Sequence, residues 1–356
     1  MPIIHKIYLI IDFPNMYLIK MKSFFNLSLL LLISSLGFGQ EMPRSTQYIF
    51  NNYLINPAIS GIDNYTDLKM GYRNQWRGLE GAPVTQYISV HAPIGEDFVR
   101  SSVNSFSGAG YNPLSRSYVN SYTSAEPHHG IGFYAITDKA ARVRQTNVNA
   151  TYAYHLGLSY DVNLSVGVSG GISSTSIDVA NVTVDNTADP LLSADYNNKL
   201  RPDVGGGIWL YSPRFFLGAS AKQILGYRSK TANKQTNLSA YQTTTFYGTA
   251  GYKFFVDEDI AFIPSTLLTY WLSAPATLDA NLKIAYQDKF WIGGSFRNND
   301  SFSALAGFNI ASLINISYSY DVTTSALRSV NSGTHEIVLG ILLNNRYDVK
   351  CSTRQF

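Results

Sequence analysis

The 356-residue chain is poor in cysteine, in charge and in long apolar runs. Its single cysteine, Cys351, excludes an internal disulfide framework. Charged residues make up 14% of the chain, well below the roughly 25% of a soluble domain. No apolar run after Phe38 approaches the roughly 20 residues of a membrane-spanning helix, which excludes a helical inner-membrane protein.

The N-terminal residues predict a secretory signal peptide. Met21 and Lys22 give a basic start, Leu29–Ile33 form an apolar core, and small or turn-prone residues follow up to Gln40. We therefore expect a leader over residues 1–39, with Met21 as the true start. Removing this leader leaves 24 basic and 23 acidic residues, a net charge of +1 that gives no preference for nucleic acid.

What the chain has instead is a period-two alternation of apolar and polar residues. The segments Leu164–Ser173 and Ile314–Asp321 alternate in this way. Successive side chains of a strand point to opposite faces, so each segment has one apolar and one polar face. The 25 tyrosines and 19 phenylalanines fit the aromatic girdles of membrane barrels. A soluble sandwich would alternate too, but behind a secretion signal the pattern predicts an all-β barrel in the bacterial outer membrane.

We predict about 14 antiparallel strands over residues 67–343. An even count places both termini in the periplasm and long connections at the cell surface, so residues 344–356 are expected to form a periplasmic tail. The predicted strands are Asp67–Trp76, Ala82–Ala92, His129–Thr137, Arg142–Leu156, Val162–Ile177, Asp203–Tyr211, Phe215–Ile224, Thr243–Val256, Ala261–Leu272, Thr277–Tyr286, Phe290–Arg297, Phe302–Phe308, Leu313–Asp321 and Gly333–Leu343.

One connection breaks this pattern. The count places Pro93–His128 in the periplasm, where turns are normally a few residues long. We predict that this connection docks a periplasmic partner. The alternatives are a spacer or lumen filler, or a strand count that is off by one pair in this part of the chain. Its side chains suited to protein contacts are Tyr111, Asn112, Arg116, Tyr118 and Tyr122.

Five short motifs in a fixed order carry a family resemblance. They are Gln47–Gly61, Arg73–Trp76, Gly81–Thr85, Tyr318–Asp321 and Gly333–Ile337. In this order they resemble the PorP/SprF family of type IX secretion system outer-membrane proteins of Bacteroidota. The resemblance implies a non-enzymatic role in exporting or anchoring cell-surface proteins, including gliding adhesins. The partners it implies are periplasmic and outer-membrane components of the secretion system and the C-terminal domain of a secreted adhesin.

The resemblance and the alternation together suggest a plug-like segment over residues 40–66. Outer-membrane fatty-acid channels carry an Asn-Pro-Ala in a hatch inside the barrel, so by similarity Asn56, Pro57 and Ala58 are expected in the lumen. Arg73 and Gln75 lie on the polar face of the first strand and are predicted to hold this segment. The alternative for the plug is an ordinary periplasmic lead-in, and the alternative for Arg73 and Gln75 is a generic polar lumen. The same features leave a second function open, a hatch-gated channel for hydrophobic small molecules.

No residues predict catalysis, a cofactor or a metal site. His128-His129 and Asp257–Asp259 lack the spacing of metal ligands. Gly205–Gly207 lies within a strand with no helix after it, so a phosphate-binding loop is not expected. We therefore expect a protein that is not an enzyme and has no cofactor.

Overall fold

The computed structural model describes residues 45–95, 116, 122–177, 199–228, 241–242, 244–271, 274–287, 289–310 and 313–344. The predicted leader and residues 345–356 lie outside the described residues. Among the residues described, no helix is long and apolar enough to cross a membrane.

Fourteen antiparallel strands form a closed barrel, in which each strand pairs with the next and β1 pairs with β14. This confirms the predicted barrel and strand count. The strands are β1 Thr66–Asn74, β2 Val84–Ile94, β3 His128–Ala140, β4 Val143–Gly157, β5 Asn163–Ile177, β6 Lys199–Tyr211, β7 Phe215–Lys222, β8 Thr245–Tyr252 continued by Phe254–Phe255, β9 Ile260–Trp271, β10 Ala274–Tyr286, β11 Phe290–Arg297, β12 Ser301–Ile310, β13 Ile314–Thr323 and β14 Thr334–Leu343.

Strand ends differ from the predicted ends by a few residues. The largest extension is in β6, which begins at Lys199 rather than Asp203. The eighth strand was expected to be continuous, but it is interrupted at Lys253, whose backbone N–H donates to the Arg214 carbonyl (2.7 Å). A short pair, Tyr227–Arg228 with Tyr241–Gln242, lies in the connection after β7.

The alternation separates the two faces of the wall. Outward side chains such as Ile131 and Phe133 of β3 are exposed, whereas Tyr134, which follows Phe133 and points inward, is buried. Polar side chains of the inward face, including Asn147 and Asn149 of β4, are buried as well. The buried core of this protein therefore lies in the lumen, and the apolar outer face is the one that would contact lipid.

The two ends of the barrel are distinguished by the strand termini. Thr66 of β1 pairs with Leu343 of β14, so the barrel strands begin and end together, at what we call the terminal end. Connections 212–214 and 287–289 at this end are short, and 95–127 is the long exception. The opposite end, which carries connections 75–83 and 324–333, is called the distal end.

Candidate functional site in the barrel lumen

The residues before β1 lie against inward-facing side chains of the barrel. We call Ser45–Tyr65 the luminal segment. It contains three single-turn 3-10 helices, Gln47–Ile49, Asn52–Leu54 and Pro57–Ile59. The third turn follows from its sequence, because Pro57 supplies the first helical position and the Asn56 side chain caps it by accepting the Ala58 N–H (3.0 Å).

Side chains of the wall bind backbone carbonyls of the luminal segment. Lys222 Nζ donates to the Leu54 carbonyl (2.8 Å) and Ser220 Oγ to the Ile55 carbonyl (2.7 Å). Ser165 Oγ donates to the Ala58 carbonyl (2.5 Å). Single 3-10 turns leave such carbonyls without partners of their own, and buried carbonyls need partners. The polar inner face of the barrel therefore takes the place of water around this segment.

Three inward glycines leave room for the backbone of the luminal segment. A Cβ atom at Gly130 of β3 would meet the Ser60 carbonyl oxygen, and one at Gly167 of β5 would meet the Ala58 backbone. At Gly207 of β6 it would meet the Asn56 side chain. These positions require glycine because the segment approaches the wall more closely than a side chain would allow.

A buried ion-pair cluster holds the segment at the distal end. The Arg73 guanidinium lies 2.9 Å from Oδ2 of Asp321 and 2.9 Å from Oε2 of Glu336. Thr46 donates its backbone N–H to Glu336 (2.9 Å) and its hydroxyl to Asp321 (2.7 Å), and Ser45 Oγ also donates to Glu336. We call these five residues the distal clamp. The three charged side chains are 1–3% exposed, so each depends on the others for stabilisation.

A second arginine lies beside the distal clamp. Arg297 donates two hydrogen bonds to Asp279 Oδ2 (3.0 and 2.9 Å) and one to the Ser45 carbonyl (3.4 Å). Its Nη1 is 3.3 Å from Asp300 in the adjoining turn. The start of the luminal segment is thus contacted by charged groups from β1, β10–β11 and β13–β14.

Three histidines contact the other end of the segment, near the terminal end. The Gly61 N–H donates to Nδ1 of His91 (3.3 Å), and Nε2 of His128 lies 3.1 Å from the Gly61 carbonyl oxygen. Nε2 of His155 is 2.8 Å from the Ser60 carbonyl oxygen, and the His128 and His155 rings are stacked at 4.5 Å. Adjacent strands β2, β3 and β4 supply these rings, so the Ser60-Gly61 turn is held from one side.

The same end contains the one group of potential metal ligands found in the described part of the chain. Carboxylate oxygens of Asp63 and Asp67 and a ring nitrogen of His91 lie within 4.8 Å of one another, all buried. Lys69 Nζ, however, is 2.5 Å from Asp67 Oδ2 and neutralises that carboxylate. Because His91 Nδ1 accepts the Gly61 N–H, the proton of a neutral ring resides on Nε2, which faces Asp67 at 3.9 Å. The geometry favours a hydrogen-bonded ion cluster over a metal site.

The direction of the luminal segment was not expected from the strand count. Both termini were predicted at one end, and the ends of β1 and β14 do lie together. Ser45, however, contacts Arg297 and Glu336 at the distal end, and the segment reaches the terminal end only from the Ser60-Gly61 turn onward. The described chain therefore enters β1 after crossing the lumen, which a strand count does not reveal.

The aromatic residues of the segment anchor it in the lumen. Tyr53 is buried, its hydroxyl lies 2.7 Å from Thr151 Oγ1, and its ring meets the Tyr134 ring edge-on at 5.9 Å. Leu54 and Ile59 join the same buried cluster as Trp209 of β6. The segment is thus held by packing as well as by hydrogen bonds.

The family profile described as "Type IX secretion system membrane protein PorP/SprF" matches residues 37–341. The chain belongs to the PorP/SprF family. Family and barrel together identify an outer-membrane protein associated with type IX secretion, as the sequence motifs suggested. Both are of a non-enzymatic kind. No curated protein matches the chain.

Solved structures similar to this PorP/SprF barrel are other outer-membrane barrels. The toluene transporter TbuX of Ralstonia pickettii has a TM-score of 0.47 at 9% identity, covering 87% of this chain and 96% of that one. Omp33 of Acinetobacter baumannii has a TM-score of 0.43 at 9% identity, covering 80% and 99%. The Pseudomonas putida toluene transporter TodX has a TM-score of 0.43 at 9% identity, covering 86% and 96%. At such identity the likeness concerns the fold alone.

The structure brings some of the predicted site residues together. Asn56, Pro57 and Ala58 are buried in the luminal segment, and Arg73 contacts its start. Gln75 lies just past β1, half-buried, where its backbone N–H donates to the Pro83 carbonyl (2.9 Å).

The predicted docking residues are only partly described. Tyr111, Asn112 and Tyr118 lie outside the described residues, and Arg116 is exposed. Tyr122 is 4% exposed and its hydroxyl accepts a hydrogen bond from Asn163 (2.9 Å), so its ring packs on the barrel rather than on a free surface.

Proposed function

We propose that this protein helps the type IX secretion system export or anchor cell-surface proteins, such as gliding adhesins, as a closed barrel and not as their conduit. The contacts of the luminal segment along the lumen carry this proposal. Cavities beside the segment measure about 80 and 60 Å³, far below the roughly 300 Å³ of small ligand pockets. An exported chain would have to displace the segment from both the distal clamp and the histidines.

A closed barrel contributes to secretion through its surfaces. We propose that it binds periplasmic and outer-membrane components of the type IX machinery, and that a secreted adhesin docks through its C-terminal domain. In this role the barrel performs no catalytic step and requires no cofactor. In this proposal residues 40–66 form the plug, with Asn56, Pro57 and Ala58 at its centre. Arg73 holds the plug in the barrel, and Gln75 is still predicted to help hold it.

Deletion of the gene tests this function. We expect one or more large surface proteins to remain unexported or unanchored, while uptake of small hydrophobic solutes is unchanged. Surface proteomics and solute-uptake assays on the deletion strain, with a complemented strain as control, separate the two activities. Normal surface proteins with lost uptake would instead favour a hatch-gated channel for hydrophobic molecules.

Connection 95–127 is the proposed contact with the periplasmic machinery. A variant in which residues 96–121 are replaced by a short Gly-Ser turn should lose co-purification of its secretion partner. The replacement spares Tyr122, Ser124 and Ala125, because Ser124 N–H donates to the Tyr160 carbonyl (2.7 Å) and Ala125 N–H to Asn163 (2.9 Å). Co-purification is measured from detergent-solubilised membranes.

A matched control shortens a distal connection, replacing residues 229–240 in the same way. Heat-modifiable migration on gels should show that both variants still form barrels. Retained co-purification in the first variant, or an equal loss in both, would contradict the docking role.

A further inference from the structure

A cavity opens at the distal end of β1–β4. It measures about 390 Å³ and lies between connection 75–83 and the β3–β4 turn; its lining includes Arg77, Leu79, Val84, Lys139 and Ala141. Backbone hydrogen bonds hold its walls, since the Ala141 N–H donates to the Gly81 carbonyl (2.7 Å) and the Arg77 N–H to the Gly333 carbonyl (2.8 Å). The cavity is therefore part of the folded rim of the barrel.

Unpaired positive charge is concentrated beside this cavity. Lys139 of β3 pairs in register directly with Arg144 of β4, and both are exposed on the outward face. Like charges directly opposite each other destabilise a sheet. Within the described ranges, no acidic side chain pairs with Lys139, Arg144 or Arg77.

The neighbouring acidic residues do not neutralise this group in the structure. Asp138 belongs to the inward face of β3, where it accepts the Thr85 hydroxyl (2.5 Å). Glu80, in connection 75–83, is exposed and is not part of the cavity lining. Arg77, Lys139 and Arg144 are thus exposed cations at one rim, and two of them line the cavity, an arrangement that favours binding of an anion there.

We propose that Arg77, Lys139 and Arg144 form a binding site for the phosphorylated headgroup of a lipid in the outer leaflet. The site faces outward, and along the same face of β3 come Phe133 and Ile131, both exposed and apolar. The headgroup phosphate of a lipid would thus contact the three cations, and its acyl chains would lie along the apolar surface of Phe133 and Ile131. In bacterial barrels the end opposite the termini faces the cell surface. Arginine and lysine bind phosphate strongly, and basic pockets at membrane level bind lipid headgroups.

The test compares lipid bound to purified barrels. Native mass spectrometry of wild type extracted from its own outer membrane should detect a bound phosphorylated lipid, and the triple variant Arg77→Gln, Lys139→Gln, Arg144→Gln should lose it. In nanodiscs, each single substitution should weaken binding of that lipid about fivefold. Lys289→Gln, which removes an exposed charge at the terminal end, is the matched control.

Two further arms separate the sources of phosphate. The dephosphorylated lipid should bind as weakly to wild type as the intact lipid binds to the triple variant, and inorganic phosphate alone should not compete at millimolar concentration. Retention of the lipid by a triple variant that still shows heat-modifiable migration would overturn the site. Tight binding of inorganic phosphate without preference for lipid would overturn its assignment to a headgroup.

Discussion

Replacing Arg73 with methionine is expected to lower the free energy of unfolding of the barrel by about 3–5 kcal/mol. The substitution removes the cation from the distal clamp and leaves Asp321 and Glu336 buried without it. Thr46 Oγ1, which accepts from Arg73 at 2.9 Å, loses a donor as well. Denaturant unfolding of the refolded protein in detergent micelles, followed by tryptophan fluorescence, measures the loss.

Two controls identify the cause of that loss. Arg328→Met removes an exposed arginine from the β13–β14 connection and should change stability by less than about 0.5 kcal/mol. The triple variant Arg73→Met, Asp321→Asn, Glu336→Gln should recover much of the stability, because no unpaired charge remains. A single variant as stable as Arg328→Met would show that the clamp does not hold the barrel closed around the segment.

The strands of the barrel wall were predictable because the alternation of apolar and polar residues is a property of each strand by itself. Alternation along Leu164–Ser173 or Ile314–Asp321 reports which face of one strand is buried, whatever its partner. Strand limits were less predictable, since pairing with a neighbour extended β6 back to Lys199. The break at Lys253 was missed because it depends on a contact with Arg214, in another connection.

The contacts of the lumen depend on barrel closure, which a single sequence does not display. Arg73 faces Glu336 because β1 pairs with β14 in one register, a separation of 263 residues. The sequence did contain an indication of this contact. Asp321 and Glu336 both lie in the family motifs, and both fall on the polar face of their strands. The sequence places Gly205–Gly207 within a strand, but only the structure shows that Gly207 makes room for Asn56. The three histidines that contact the Ser60-Gly61 turn could not be predicted from a sequence motif, because His91, His128 and His155 come from three different strands.

Filling two of the inward glycine positions should displace the luminal segment and open the barrel. In the double variant Gly130→Val, Gly167→Val, the added side chains would occupy the space of the Ser60 carbonyl and the Ala58 backbone. Overpacking of this kind typically costs about 1–3 kcal/mol per site. Because the wall strands are paired on both sides, we expect the segment to yield rather than the wall. Planar-bilayer recordings should then show ion conductance that the wild type lacks, and protease should cut the segment.

The matched control places the same residue on the other face of the same wall. At Gly170 an added Cβ meets nothing within 4 Å, and at Gly206 it makes only an ordinary contact with the Gly167 carbonyl at 3.7 Å. Valine suits an outward strand position, so Gly170→Val, Gly206→Val should remain closed and as stable as wild type. If inward and outward variants conduct and unfold alike, the segment does not close the lumen. If the inward variant conducts yet still exports every surface protein normally, closure is separate from the role in secretion.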